Sequence, residues 1–145
     1  MSETNVQHLT ETEVLSGVPR HWRNPVKSEK FAGKHEASLG KQTGVNQFGV
    51  NHVTLDPGAW SSLRHWHEGE DEFVYVLDGT LTLRDENGAH AMMAGSYVGF
   101  PAGIANGHHL VNESKATATF VVVGSRASGG DVCHYPDGDL GPDRR

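Results

Sequence analysis

From residue 46 onwards the chain is a succession of short segments rich in β-branched and aromatic residues, each ended by a turn signal. Segments such as EFVYVL and TLTLRD are too short for ordinary helices and show no helical period. Asp78-Gly79 and Asn87-Gly88 follow two of these segments, and both dipeptides favour the tight turns of antiparallel hairpins. The pattern predicts an all-β fold in which about eight strands form an antiparallel meander, closed as a sandwich or a jelly roll.

The chain of 145 residues is expected to hold one domain with two extensions. Residues 1–41 are polar and interrupted by prolines and glycines, which predicts an extended N-terminal arm with at most a short helical turn. Residues 42–126 should form the barrel, and the glycine-containing residues 127–145 a C-terminal extension. An arm of this kind can cover a sheet edge of its own chain or of a partner, so a homodimer is expected.

The charge pattern excludes some partners. The formal net charge is −6, and Arg64 and Arg84 are the only basic residues between positions 42 and 114, which argues against a nucleic-acid surface. The N-terminal sequence shows no signal segment, and no apolar run is long enough to cross a bilayer. Cys133 is the only cysteine, so an internal disulfide framework is impossible. We therefore expect a cytoplasmic protein that binds neither nucleic acid nor membranes.

The segment RHWHEGEDE suggests a metal site. Side chains two apart in a strand share a face, so His65 and His67 should point one way and Trp66 the other. Glu72 opens the next segment, and if it faces inward its carboxylate arrives beside the two imidazoles. His108, in the later segment GHHLVN, can supply a third imidazole from another strand. Three neutral imidazoles and one carboxylate form a divalent-metal site that leaves room for water or substrate.

The remaining histidines and acidic residues have simpler interpretations. His52 lies in a strand without a partner at ligand spacing and is interpreted as structural. Five other histidines are interpreted as surface residues: His8, His21, His35, His90 and His134. Four acidic residues around Glu72 are expected to lie in solvated turns: Glu68, Glu70, Asp71 and Asp78.

The histidine segment and a later segment resemble the two conserved motifs of the cupin superfamily, here in the form of a small single-domain bacterial-type cupin. The first motif matches Gly58, His65, His67, Glu72 and Gly79, with one extra residue after the first glycine. The second motif matches Gly95, Pro101, Gly103, His108 and Asn112, with two extra residues before the histidine. Two ordered motifs at the right separation make the resemblance specific.

The resemblance implies a double-stranded β-helix, the jelly-roll barrel of cupins, and one divalent metal ion, which can be Fe, Mn, Ni or Zn. The ligands that it implies are His65, His67, Glu72 and His108. The inserted residues leave His109 and Asn106 as alternatives for the last ligand, and the spacing to Asn112 selects His108.

Two functions remain open, because cupins include dioxygenases, isomerases, decarboxylases, lyases, sensor domains and storage proteins. The first is a small metal-dependent enzyme, of dioxygenase or isomerase type, that acts on a small organic metabolite. The second is a metabolite-binding or sensing module without catalytic activity. The barrel lining is expected to be apolar and therefore to favour a small organic ligand. The residues expected in this lining are Val74, Val76, Leu110 and Phe100, with Phe48, Trp60 and Met92 as further candidates.

Few polar groups can be assigned to substrate binding. A sugar phosphate would need a cation at the barrel mouth, and Arg64 and Arg84 are the nearest in sequence. Arg64 alternates with His65 and should point outward. Tyr75 and Tyr97 could donate protons, but Tyr75 has the parity of Phe73 and should face away from the site.

Overall fold

A computed structural model describes residues 29–138 and 141–144. Most of the predicted arm, including His8 and His21, therefore lies outside the described residues. A short 3-10 helix (Glu29–Phe31) comes first, and a one-turn helix, α1 (Leu39–Thr43), follows the first strand. The strands are β1 (Lys34–Ser38), β2 (Phe48–Leu55), β3 (Trp66–His67), β4 (Glu72–Asp78), β5 (Thr80–Asp85), β6 (Gly88–Met93), β7 (Tyr97–Phe100), β8 (His109–Val111), β9 (Ala118–Ser125), β10 (Val132–His134) and β11 (Asp143–Arg144).

The strands form three sheets in which neighbouring strands run antiparallel. The largest sheet has the order β1-β2-β9-β4-β7, and the two smaller sheets have the orders β6-β5-β8 and β11-β10-β3. Strands distant in sequence are neighbours in the largest sheet, as in a jelly roll. The predicted all-β jelly-roll fold is confirmed, whereas the simple meander is wrong.

The two Gly-containing turns differ. Asn87-Gly88 joins β5 to β6, which pair with each other as a hairpin, so this prediction is confirmed. Gly79 instead joins β4, which pairs with β7 and β9, to β5, which pairs with β6 and β8. The backbone of Gly79 has φ +77°, and a Cβ there would lie 2.7 Å from the carbonyl oxygen of Thr117. This glycine lets the chain pass against the start of β9 while it changes sheets.

The hydrophobic core lies between the largest sheet and the β6-β5-β8 sheet. Alternation along β4 buries Val74 and Val76 and exposes Phe73, Tyr75 and Leu77. The same alternation elsewhere adds core residues, among them Val53, Leu55, Leu81, Leu83, Met92, Leu110 and Phe120. Burial of one such side chain contributes about 1.5–3 kcal/mol, so this core dominates the stability of the barrel.

Both extensions add strands. β1 pairs along β2 and covers that side of the sheet. β10 of the C-terminal extension pairs with β3, placing Cys133 opposite His67 and His134 opposite Trp66. The rings of Trp66 and His134 stack 4.2 Å apart, so Trp66 is covered by the extension. The residues after the barrel therefore lie against the strand that follows His65. Among the described residues, no helix has the length and apolar character needed to span a membrane.

Candidate metal centre

Three segments of the barrel carry the predicted ligands. His65 precedes β3, and its backbone exchanges two hydrogen bonds with His108, which precedes β8 (N–O distances 3.2 and 3.0 Å). His67 ends β3, two residues from His65, and Glu72 begins β4. Paired backbones and strand alternation thus direct all four side chains toward one place.

The four side chains meet around the carboxylate of Glu72. His108 Nε2 lies 2.6 Å from Glu72 Oε1, and His65 Nε2 lies 3.8 Å from the same oxygen. His67 Nε2 lies 3.9 Å from Oε2. Ligand atoms of His65, His67 and Glu72 all lie within 4.8 Å of one another, the spacing expected of a group that could hold a metal ion.

The Nδ1 atom of each imidazole, on the side of the ring away from Glu72, forms a hydrogen bond with an oxygen atom. His65 and His108 lie 2.8 Å from the carbonyl oxygens of Leu63 and Asn106, and His67 lies 2.6 Å from Asp131 Oδ2. These oxygens can only accept, so we assign the proton to Nδ1 in all three rings. The Nε2 lone pairs then face Glu72, which is the arrangement of metal-binding histidines and their supporting groups.

This donor set fits a divalent metal ion. A neutral imidazole lone pair and a carboxylate oxygen 2.6 Å apart repel each other unless a cation, either a proton or a metal ion, lies among the donors. Three imidazole nitrogens and one carboxylate suit first-row divalent ions. The structure thus contains a group of His and Glu side chains able to act as ligands, and metal binding by these four residues stays a prediction.

Glu72 is ionised when a proton on Nε2 of His108, in place of a metal ion, lies among the donors. Burial alone would raise the pKa of Glu72, but the hydrogen bond with His108 and the nearby imidazoles of His65 and His108 lower that pKa well below its ordinary range. Only the ionised carboxylate is a good metal ligand. Glu72 is therefore in the chemical form that a metal centre requires.

His109 and Asn106, the alternatives to His108, have other roles. His109 donates from Nδ1 to the carbonyl oxygen of Ser62 (2.9 Å), and its ring packs edge-on against Trp60. Burial lowers the pKa of His109 to about 4, so this ring is neutral. Asn106 supports His108 through its carbonyl oxygen. The structure thus brings His108, and not its neighbour, to the carboxylate of Glu72.

Asp131 is a site residue that the sequence analysis missed. It lies in the C-terminal extension, is buried, and accepts hydrogen bonds from His67 Nδ1 and from the backbone N–H of Gly69 (2.9 Å). Burial would raise the pKa of Asp131, but the hydrogen bonds from Gly69 and His67 lower it, so the carboxylate is ionised. Asp131 stands 64 residues from His67 in sequence, and only the pairing of β10 with β3 brings them together.

Glu70 also lies on the outer side of His67. Its Oε1 is 4.0 Å from His67 Nδ1, and together with Asp131 it forms a second group whose ligand atoms lie within 4.8 Å of one another. Glu70 Oε2 accepts a hydrogen bond from the backbone N–H of Ala127 (3.1 Å). Glu70 therefore has structural contacts, in contrast to the solvated turn expected for it.

The cluster opens into a cavity of about 600 Å³. Val74, Leu110 and Phe100 line it as expected, and Phe100 stacks on the ring of His108. Val76 and Met92 lie in the core instead. The prediction that Phe48 lines the cavity is wrong, because its side chain is 44% exposed. The residues of β2 that line the cavity are those on the opposite face of the strand, Gly49, Asn51 and Val53.

The charged groups of the cavity were not foreseen. Arg64 points away, as expected, but it is engaged with Asp137, Glu86 and the carbonyl oxygen of Gly107 instead of being solvated. Two other cations, Lys34 of β1 and Arg126 after β9, line the cavity, as do Glu36 and Tyr135. Lys34 pairs with Glu36 at 3.5 Å. These residues come from β1 and from the segments after β9 and β10, which are distant in sequence, and no local pattern marks them.

Comparison with known proteins identifies the class. The family model described as Cupin domain matches residues 51–124, so this chain belongs to the cupin family. A solved sugar phosphate isomerase of the cupin superfamily from Silicibacter pomeroyi is 38% identical, with a TM-score of 0.83, over 96% of this chain and 92% of that chain. Among curated protein sequences, none matches this chain.

Two further solved structures are similar. A protein of Acidithiobacillus ferrooxidans, provisionally assigned as a sugar phosphate isomerase, is 32% identical, with a TM-score of 0.78, over 90% of this chain and 81% of that chain. A polyketide cyclase from Streptomyces resistomycificus is 22% identical, with a TM-score of 0.66, over 83% of this chain and 80% of that chain. The last similarity shows the fold alone.

Proposed function

We propose that this chain is a metal-dependent isomerase of sugar phosphates, with the metal held by His65, His67, Glu72 and His108. The observation that carries the proposal is the orientation of the imidazoles. All three are held at Nδ1 by acceptors, and their Nε2 atoms surround the carboxylate of Glu72. The ion itself can be Fe, Mn, Ni or Zn, because each accepts this set of donors.

The reaction type is supported by the relatives and by the cavity. The two solved structures described above with 38% and 32% identity carry the description of sugar phosphate isomerase, one of them provisionally. The cavity combines the candidate ligands with apolar walls and with a cation, Arg126, that an anionic ligand can contact. A sugar phosphate therefore matches this cavity better than the apolar lining alone would suggest.

In the proposed reaction, the histidines and the apolar residues of the site have different roles. A bound divalent ion would polarise a carbonyl or hydroxyl oxygen of the sugar. His65, His67 and His108 keep their Nε2 atoms in place because their Nδ1 atoms are already engaged. Val74, Leu110 and Phe100 form an apolar wall that limits water around the reacting carbons.

The test is an activity assay on tag-free protein loaded separately with Fe(II), Mn(II), Ni(II) or Zn(II). Each form is incubated with a panel of aldose and ketose phosphates, and proton NMR follows conversion between the isomers. We expect conversion by at least one metal form, no conversion after chelation, and none by the Glu72→Gln variant. Binding of sugar phosphates without conversion by any form would contradict the proposal and favour the metabolite-binding or sensing module.

A further inference from the structure

The geometry assigns Arg126, which lies across the sheet from the candidate metal centre, as the group that binds the phosphate of the substrate. This inference rests on the proposed function for the class of ligand. It adds the residue that distinguishes a phosphorylated sugar from an unphosphorylated one. Its basis is the position of Arg126 relative to Glu72 and the engagement of the other arginines near the site.

Glu72 lies in one row of the sheet with two glycines. It pairs with Gly124 of β9, and Gly124 pairs with Gly49 of β2. Adjacent strands lie about 4.8 Å apart, so Glu72 and Gly49 are separated by about 10 Å. Both glycines line the cavity, and without side chains they leave the sheet surface between these points open.

Arg126 lies at the far end of this open surface. Its Nη2 atom is 3.7 Å from the position that a Cβ on Gly49 would occupy, and the residue lines the cavity. A five- or six-carbon sugar phosphate can bridge the distance from this guanidinium to the candidate metal centre. The planar guanidinium offers paired donors that match phosphate oxygens.

The backbone around Arg126 is fixed to the loop that leads into Glu72. The backbone N–H of Ser125 donates to the carbonyl oxygen of Asp71 (3.0 Å), and the backbone N–H of Asp71 donates to Ser125 Oγ (2.9 Å). On the other side, the backbone N–H of Ala127 donates to Glu70 Oε2. These contacts on both sides hold the backbone of Arg126 at a set distance from the metal centre.

Three other cations of the described strands and their connections are engaged or too distant. Arg64 is held by Asp137 and Glu86, and Arg84 pairs with Glu113. Lys34 pairs with Glu36 and lies opposite Leu55, six residues along β2 from Gly49, or about 20 Å. Within residues 29–138 and 141–144, no hydrogen bond or ion pair engages the guanidinium of Arg126.

The test compares Arg126→Gln with Arg84→Gln, a matched control in which an arginine outside the cavity is changed. Calorimetric titration of the metal-loaded proteins uses ribose 5-phosphate, ribose and inorganic phosphate as probes. We expect Arg126→Gln to weaken ribose 5-phosphate binding about tenfold or more and to leave ribose binding and metal content unchanged. Arg126→Lys should restore part of the loss, because it keeps the charge without the paired donors.

The outcomes separate this inference from the proposed function. If wild type converts sugar phosphates and Arg126→Gln binds them equally well, the inference is overturned and the proposed function stands. If wild type binds ribose 5-phosphate through Arg126 but converts none of the panel, the phosphate site stands and the isomerase does not. If wild type prefers ribose to ribose 5-phosphate, both are wrong.

Discussion

His67 is held between two kinds of group, with Glu72 on its Nε2 side and Asp131 on its Nδ1 side. The carboxylate of Asp131 fixes the proton on Nδ1, which leaves Nε2 free to bind a metal ion. Such a support would act on His67 without touching a bound ion. We therefore expect Asp131, which the C-terminal extension contributes, to be a positioning residue.

Asp131→Asn should weaken metal binding, because an amide can present N–H to His67 and favour the wrong tautomer. We expect metal affinity to fall by about 10- to 100-fold. Competition with a chromophoric chelator measures it. Asp137→Asn, which changes a carboxylate paired with Arg64, is the control and should retain wild-type affinity. Equal affinities of the two variants would contradict the positioning role.

His108 and His109 are adjacent in sequence but contact different groups. His108 lies against Glu72, whereas His109 packs against Trp60 and donates to Ser62. Elemental analysis of His108→Ala should show loss of the metal, and His109→Ala should retain it. The reverse result would mean that the two extra residues before the histidine of the second motif align His109, and not His108, with the ligand position.

The sequence identifies some site residues and hides others for a physical reason. His65, His67 and Glu72 could be predicted because strand alternation and short spacings determine which way neighbours point. Asp131 and Arg126 could not, because their places depend on which strands pair over distances of more than 50 residues. No local period records such a pairing.

At the scale of elements, the turn at Gly79 shows how one dipeptide can serve two purposes. Asp-Gly predicts a hairpin, but β4 and β5 belong to different sheets. The local sequence sets only the bend, while the core decides which strands pair after it. The Asn-Gly turn between β5 and β6 has open space around Gly88 and forms the hairpin that its sequence predicts.

Gly79→Ala and Gly88→Ala form a matched pair for stability. Both glycines have positive φ, which costs an alanine about 1–2 kcal/mol. A Cβ at Gly79 would also meet the backbone of Thr117 and Ala118 within 3 Å, so we expect about 2 kcal/mol of further destabilisation. Urea unfolding measures the difference. Equal free energies of unfolding would show that the close approach to β9 is relieved by a small shift.

For the whole molecule, the candidate metal centre connects distant parts of the chain. Its predicted ligands come from β4 and from the ends of β3 and β8, and Asp131 adds the C-terminal extension. A ligand that binds only the folded state stabilises it by a free energy that grows with the logarithm of the ratio of ligand concentration to dissociation constant. The expected homodimer stays a prediction, and sedimentation velocity on the metal-loaded protein tests it.

Metal removal should therefore lower the melting temperature. At a free metal concentration 100 times the dissociation constant, binding contributes about 2.7 kcal/mol. Calorimetry of the loaded and chelated protein measures this effect, with the double variant His65→Ala, His67→Ala as the control. Chelation should leave the melting temperature of the variant unchanged. A comparable decrease in the variant would place the stabilising ion elsewhere.

If His65, His67, Glu72 and His108 form a metal centre, the metal content of the purified protein depends on them, and elemental analysis measures that content. Protein purified without a histidine tag or chelator is analysed beside the double variant His65→Ala, His67→Ala. We predict close to one Fe, Mn, Ni or Zn ion per chain in wild type and none in the variant. Wild type that stays metal-free after loading with each ion in turn, or a variant with equal metal content, would show that these residues do not hold a metal ion.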